Sequence, residues 1–440
     1  MTPAARIQAT LELLQAINDT PRPADAIVSG YFRARRFIGS HDRGTLATRL
    51  YAILRHHARV NWWLEKYQIP VTPRARMLTW LALGEKISVK SISELCSGGK
   101  YAVPVLEDSE RLYLQKIAGS TIEHPDMPEE ISLECPKESY EALKQRFGKD
   151  FTREMRAMLE PAPLDLRINP LKTTREEILK ALKEMKLKAE VCALSPWGVR
   201  VFERPSLSNL PMLKNGLVEI QDEGSQMIAL IVDAKPGERV VDFCAGAGGK
   251  TLAISATMEN KGRIVACDII EGRLKRSTER FRRAGLHNIE TRPLTSTRDP
   301  WVKKHKGGFD RVLTDVPCSG AGTWRRNPDA RWHDLGPGLE KLLITQAEVL
   351  ESAARLVKPG GRLIYSTCSL LPDENETQIE KFLAAHPEFT LLPCGLGGAP
   401  HLVLTPGQHG TDGFFAAVMI RAQTAALQTP DQAPALQTHA

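Results

Sequence analysis

The sequence has few cysteines in useful spacing, few aromatics and no long apolar run, and each shortage excludes something. Eight cysteines are present, but no C-x-x-C pair and no zinc-ligand spacing occurs among them. Neither a structural zinc site nor a secreted disulfide framework is therefore expected, and no metal is called for. No apolar run is long enough to span a bilayer, and the N-terminus has no charged-then-apolar leader. A cytoplasmic protein with reduced thiols and no membrane partner is the expectation. Two phosphate-binding patterns are also missing. Gly249-Lys250-Thr251 could end a P-loop, but Cys244 stands where its first glycine must be. Gly246 and Gly248 could open a G-x-G-x-x-G fingerprint, but Thr251 takes the third position. Residues 160–222 could guide RNA, but they show no aromatic stacking signature. Charge is not strongly one-sided. The net of +7 permits a nucleic-acid partner without requiring one.

Within 440 residues, enough for two or three domains, one stretch organises the rest. Val240 to Thr251 reads VVDFCAGAGGKT. Apolar β-branched residues suit a buried strand, the glycines a tight turn, and the following LAISATM a helix. Glycine lets backbone approach a ligand closely, and a helix N-terminus offers free N–H groups and partial positive charge. With both phosphate patterns excluded, a nucleoside-type cofactor at the carboxyl end of the strands remains. A second strand, GRIVACD, ends in Asp268, placed to bond ribose hydroxyls, to cap the next helix, or both.

Residues 1–150 read as a helical bundle. Ile7, Leu11 and Leu14, and later Leu46, Leu50, Ile53, Leu54 and His57, recur at helical spacing. Arginines are frequent here: Arg33, Arg35, Arg36, Arg43, Arg49, Arg55 and Arg59, read first as a solvated surface. Residues 160–222 read as a small α+β segment, with strand-like LDLRINP, WGVRVF and GLVEIQD and a helix opened by a Thr174–Glu177 capping box. From 223 to 422 strands and helices alternate, with strands expected near 240–244, 263–267, 289–293, 310–315, 361–366 and 414–420. The fold class is α/β, a doubly wound, largely parallel Rossmann-like sheet. Residues 423–440 are rich in Ala, Gln, Thr and Pro and are expected to be disordered.

Two further stretches carry chemistry. FDRVLTDVPCSG leads a strand into Asp315 and Cys318, and GGRLIYSTCSLLPDENE leads another into Cys368. In a doubly wound sheet both end at the ligand edge, beside the glycine turn. A lone cysteine there is commonly a small core residue. Two at strand ends on one edge point to thiol chemistry. Arg325, Arg326 and Arg331 with Trp324 and Trp332 form a mixture suited to phosphate and base contact, and a helix rich in arginine, from Arg273 to Arg283, borders the same edge.

These motifs, DFCAGAGGKT, DVPCSG and YSTCS with the flanking QDEGSQM and TDGFFAAVMIR, resemble those of the S-adenosylmethionine-dependent RNA (cytosine-5) methyltransferases of the Nop/Sun class. The resemblance covers about 160–421. The N-terminal helices resemble, more loosely, the NusB-like RNA-binding domain of the bacterial 16S ribosomal RNA members. By resemblance, Cys244, Ala245, Gly246, Ala247, Gly248, Gly249 and Lys250 cradle S-adenosylmethionine, Asp268 binds its ribose, and Asp315 lies between its methionine end and the target base. Cys368 is then the nucleophile and Cys318 assists product release. Spacing alone does not separate the two thiols. The expected substrate is ribosomal RNA and the expected state a monomer. The alternatives are a transfer RNA enzyme, a DNA methyltransferase, which would attack with the Pro-Cys thiol, and a non-catalytic assembly factor, which would be free to lose the cysteines. One departure stands out. Where the family carries an acid after the third strand, this chain reads RPLTST, with Thr295 or Ser296 in its place.

Overall fold

The structure, a computed structural model, describes residues 1–423 except 204, 206–209, 334 and 335. All but the first residue of the expected disordered tail lies outside the described residues.

Ten α-helices occupy Pro3 to Ala157. Thr2 caps the first by accepting the Ala5 N–H. The apolar stripes meet in a core that includes Leu13, Ile17, Leu50, Ile53, Trp63 and Leu81. Two details differ from the sequence pattern. The stripe expected to run from Leu46 to His57 breaks at His56, whose φ of −107° and ψ of 33° end the helix Ser40–Arg55, so His57 begins the next one. The helices also run past 150. The last, Phe151–Ala157, sends Phe151 and Met155 into a cluster with Trp324, Leu370 and Leu371 rather than into the bundle core. The helical part is thus sealed onto the downstream chain by apolar burial.

The α+β segment is a four-stranded antiparallel sheet: β1 (Leu164–Ile168), β2 (Ala189–Val191), β3 (Gly198–Val201) and β4 (Val218–Ile220), in the order β2-β3-β1-β4. The helix Arg175–Glu184 begins with the expected reciprocal Thr174–Glu177 capping box. The short, mostly exposed β2 has no readable pattern.

The main sheet comprises β5 (Arg239–Asp242), β6 (Arg263–Asp268), β7 (Ile289–Pro293), β8 (Phe309–Asp315), β9 (Val357–Thr367), β10 (Phe389–Leu392), β11 (Leu402–Leu404) and β12 (Phe414–Arg421). Its order is β10-β12-β9-β8-β5-β6-β7, with β11 on β12. Strands β5 to β9 pair in parallel, and β12 closes antiparallel on β9. Strands β10 and β11, too short for a periodic signal, were not foreseen. The chain winds outward from β5 through β6 and β7, then crosses back to β8 and β9. The order therefore reverses between β5 and β8, and a crevice is expected at their carboxyl ends.

Candidate active site

Strand β5 ends in Asp242, buried to 1% exposure. One carboxylate oxygen accepts from the Thr251 hydroxyl at 2.6 Å, and the other has no partner among the described residues. Burial pushes its pKa up to about 7; the Thr251 bond opposes this and the charges of Asp315 and Asp268 add to it. The glycine turn follows. Gly248 has a φ of +77° and caps the helix Gly249–Thr257, and a Cβ on it would lie 2.6 Å from the Phe281 ring. Only glycine fits. Gly246, at φ +55°, has no atom within 4 Å of where a Cβ would stand, so the turn opens there toward the crevice. Arginines hold the turn from behind. Arg280 donates to the Ala247 carbonyl, and Arg167 of β1 donates to the Gly249 carbonyl at 2.7 Å and to Gln221.

Strand β6 ends in Asp268, which accepts from the Gly246 N–H at 2.8 Å and the Ile270 N–H at 2.7 Å. Beside it, Ile269 is 69% and Ile270 44% exposed, an apolar surface next to a carboxylate. An open glycine turn, a helix N-terminus, an orphaned acid oxygen and a strand-end carboxylate with flanking isoleucines are a donor and acceptor set that fits a nucleoside bearing a cationic amino-acid end.

Strands β8 and β9 bring Asp315, Cys318 and Cys368 alongside. Asp315 pairs in register with Ser366, whose hydroxyl donates to it at 2.9 Å. On the other oxygen Asp315 takes the Lys250 ammonium at 2.6 Å. Burial works against that ammonium, but Asp315, Cys368 and Asp242 around it prevail and hold its pKa above the ordinary lysine value. Lys250 thus points across the turn to the Asp315 side. The Cys318 and Cys368 sulfurs stand 3.4 Å apart, both partly exposed while Ser366, Thr367 and Ser369 are buried. Cys318 has its pKa raised, first by its bond to Cys368, then by burial and by the charges of Cys368 and Glu374. Cys244 packs against the apolar side of the sheet, and burial raises its pKa well above that of a free thiol.

A model of the 16S rRNA methyltransferase RsmB/F family matches residues 229–420, and one of the RsmF/B-like ferredoxin-like domain matches 136–207. A Synechocystis protein described as a probable ribosomal RNA small subunit methyltransferase B is 33% identical over 380 residues, 84% of this chain and 83% of its own. The chain belongs to the RsmB/F family of 16S rRNA methyltransferases. A Yersinia pseudotuberculosis ribosomal RNA small subunit methyltransferase B is 34% identical over 63% of this chain and 64% of its own. Among solved structures, PH0851 is similar over 95% of this chain and 99% of its own, with 26% identity and a TM-score of 0.76. NSun6 from Pyrococcus horikoshii, solved with SFG, shares the fold over 66% of this chain and 99% of its own, at 22% identity and a TM-score of 0.58. RsmB/F proteins are S-adenosylmethionine-dependent methyltransferases, and the turn fits that cofactor.

Not every residue singled out in the sequence meets at this edge. Arg325 and Arg331, taken there as phosphate contacts, are 5% and 6% exposed and turn inward. Arg325 donates to Asp412 at 2.6 Å, with Arg326 beside it on Asp412 and Asp222; Arg331 donates to the Met158 carbonyl. Trp324 is buried and Trp332 stacks on His57 at 5.2 Å. The Arg325 and Arg326 charges tie the loop after Cys318 to Asp222 and to Asp412 before β12, and the Trp332 ring and the Arg331 guanidinium tie it to the helical region. Arg55 and Arg59 are likewise buried, with Arg55 donating to the Arg325 carbonyl. Arg280 and Arg283 are spent on Glu219. Arg273, Arg276 and Arg282 stay exposed. After β7, the Thr295 N–H and hydroxyl both donate to Asp299, at 2.9 and 3.0 Å, so a carboxylate does stand there, four residues later and occupied in holding its own turn. Asp242 was missed as a distinct acid. Its signal was legible: an acid closing an apolar strand, four residues before the first glycine of the turn.

Proposed function

We propose that this chain transfers a methyl group to carbon 5 of a cytosine in 16S ribosomal RNA through a covalent Cys368–cytosine adduct. The observation that carries the reading is the pair of sulfurs 3.4 Å apart beside the Lys250–Asp315 ion pair, at the carboxyl edge of β8 and β9. Carbon 5 of cytosine is a weak nucleophile. A Cys368 thiolate adding to carbon 6 pushes the carbon 5–carbon 6 electrons onto carbon 5 and splits one hard step into easier ones. The Lys250 ammonium, held by Asp315, stays charged and lies within electrostatic reach of Cys368. The Lys250 ammonium, oriented by Asp315, stabilises the negative charge that develops near ring nitrogen 3. S-adenosylmethionine, held by Asp268, Asp242 and the Cys244–Lys250 turn, supplies an electrophilic methyl group. Carbon 5 then carries both a hydrogen and the methyl. Removal of that proton toward Cys318 restores the ring double bond and expels Cys368 as thiolate. The target base must leave its stack to reach the thiols. The helical region 1–150 supplies RNA affinity through exposed residues such as Arg33 and Arg36.

The test is adduct trapping with in vitro transcribed 16S RNA. Cys368→Ala should be inactive and leave no covalent complex. Cys318→Ala should methylate once and stall, giving a cofactor-dependent protein–RNA species that survives denaturing electrophoresis. If Cys368→Ala traps RNA and Cys318→Ala does not, the roles are reversed. If neither variant loses activity, thiol catalysis is wrong.

A further inference from the structure

The stretch after the second cysteine, LLPDENE, holds two buried polar residues that the mechanism above does not use. Glu374 and Asn375 are both fully buried, at 0% exposure. Glu374 ends the 3-10 turn Pro372–Glu374 after β9, and Asn375 stands between it and the helix Glu376–Ala385. A buried carboxylate is costly unless every oxygen is bonded, so its partners show what it holds.

Glu374 reaches the Cys318 loop. One oxygen accepts the Ser319 N–H at 2.8 Å and the Gln346 side-chain amide at 2.9 Å; the other accepts the Ser319 hydroxyl at 2.5 Å. The same Gln346 amide donates to the Pro317 carbonyl at 3.1 Å. The residues on both sides of Cys318 are therefore tied to one buried carboxylate. Asn375 does the same for Cys368. Its carbonyl oxygen accepts the Thr367 hydroxyl at 2.6 Å, and its amide donates to the Ser369 carbonyl at 3.0 Å. The two loops are also cross-linked, since the Ser319 and Ser369 hydroxyls lie 3.2 Å apart. Tyr365, buried in β9, donates to the Glu374 carbonyl at 2.6 Å and fixes the turn to the sheet. Two consecutive residues thus fasten both neighbours of each thiol.

We propose that Glu374 is a positioning residue that holds Cys318 against Cys368 for the release step, with Asn375 holding Cys368 in the same way for attack. This rests on the covalent reading above. The loops come from different strand ends, fifty positions apart, and nothing in either motif by itself fixes the sulfur separation. Glu374 also differentiates the thiols. Its negative charge lies on the Cys318 side, where it raises that sulfur's affinity for a proton, as a group that takes up the carbon-5 proton requires, whereas the Lys250 cation lies on the Cys368 side. Unlike environments for two like groups are how a site assigns them separate roles.

The experiment compares Glu374→Ala and Glu374→Gln with wild type and with Cys318→Ala, in the full-length protein. Calorimetric binding of S-adenosylmethionine, whose proposed site Glu374 does not touch, checks folding. Single-turnover assays then separate adduct formation from adduct release. Glu374→Ala should form adduct within a few-fold of the wild-type rate. Its release should slow on the order of tenfold to a hundredfold, the scale expected for a misplaced catalytic group, so that it accumulates the RNA complex as Cys318→Ala does. Glu374→Gln keeps an oxygen for the Ser319 N–H and Gln346 and loses only the hydroxyl acceptor and the charge, so its release should lie between. If Glu374→Ala fails to bind the cofactor, Glu374→Gln decides alone, and a wild-type release rate in it overturns the proposal. Equal slowing of formation and release in both variants, or loss of cofactor binding in both, also overturns it and leaves Glu374 as a folding residue. If Cys318→Ala itself accumulates no adduct, the covalent reading fails instead, whatever the Glu374 variants do.

Discussion

Removing the Asp268 carboxylate tests how the cofactor turn is built. The side chain is 6% exposed and accepts two backbone N–H groups, from Gly246 at 2.8 Å and Ile270 at 2.7 Å. A hydrogen bond to a charged group contributes about 1.5–3 kcal/mol. Asp268→Ala breaks two, but Gly246 is half-buried and Ile270 exposed, so water replaces part of what is lost. A stability loss of about 2–4 kcal/mol is expected, below the doubled figure. Affinity for S-adenosylmethionine should fall separately, because the ribose loses at least one charge-assisted bond. That loss, about 1.5–3 kcal/mol, is a tenfold or greater rise in Kd. Asp268→Asn discriminates further. It retains one acceptor but turns an amide N–H toward a backbone N–H, so it should recover little of either loss. Isothermal titration calorimetry at fixed salt reads the affinity, and urea midpoints read the stability. A Kd within twofold of wild type in Asp268→Ala would remove Asp268 from the cofactor site. An unchanged midpoint would refute the claim that its two amide bonds hold the turn.

Three other outcomes are expected. Gly248→Ala places a Cβ at φ +77° and 2.6 Å from the Phe281 ring, so it should lose about 2–5 kcal/mol of stability, and a wild-type urea midpoint would refute the crowding. Asp242 has its pKa raised to about 7 in the folded chain, so its contribution to stability is present at low pH and is lost as pH rises from about 4 through 7. Asp242→Asn, which does not titrate, should therefore gain stability relative to wild type as pH rises from about 4 to 7, and a pH-independent difference would show that the acid is not neutralised by burial. Arg33→Ala with Arg36→Ala should weaken RNA binding and flatten its salt dependence by up to about 0.9 in log–log slope per lost phosphate contact, and an unchanged slope would place the RNA elsewhere.

The sequence by itself settled the elements whose signal is local. The VVDFCAGAGGKT stretch had to be strand, turn and helix, because apolar β-branched residues, positive-φ glycines and a helix-forming run follow one another without interruption. The Thr174–Glu177 box started a helix for the same reason, its donors and acceptors being three residues apart. Strand-end positions for Asp268, Asp315, Cys318 and Cys368 followed from strand periodicity and a doubly wound order. Contacts between distant segments were not legible. The 3.4 Å between the sulfurs depends on β8 and β9 being parallel neighbours and on Glu374 and Asn375 tying the two loops. The fate of the arginines was equally hidden. A guanidinium reads the same in sequence whether it faces water or a buried carboxylate, and only the approach of Asp412 and Asp222 turned Arg325 inward. Periodicity reports which face of an element is apolar, and motifs report which chemistry is available. Which charges are spent on holding the fold, and which stay free for a ligand, depends on what other parts of the chain bring within hydrogen-bonding distance, and that is fixed only when the elements pack.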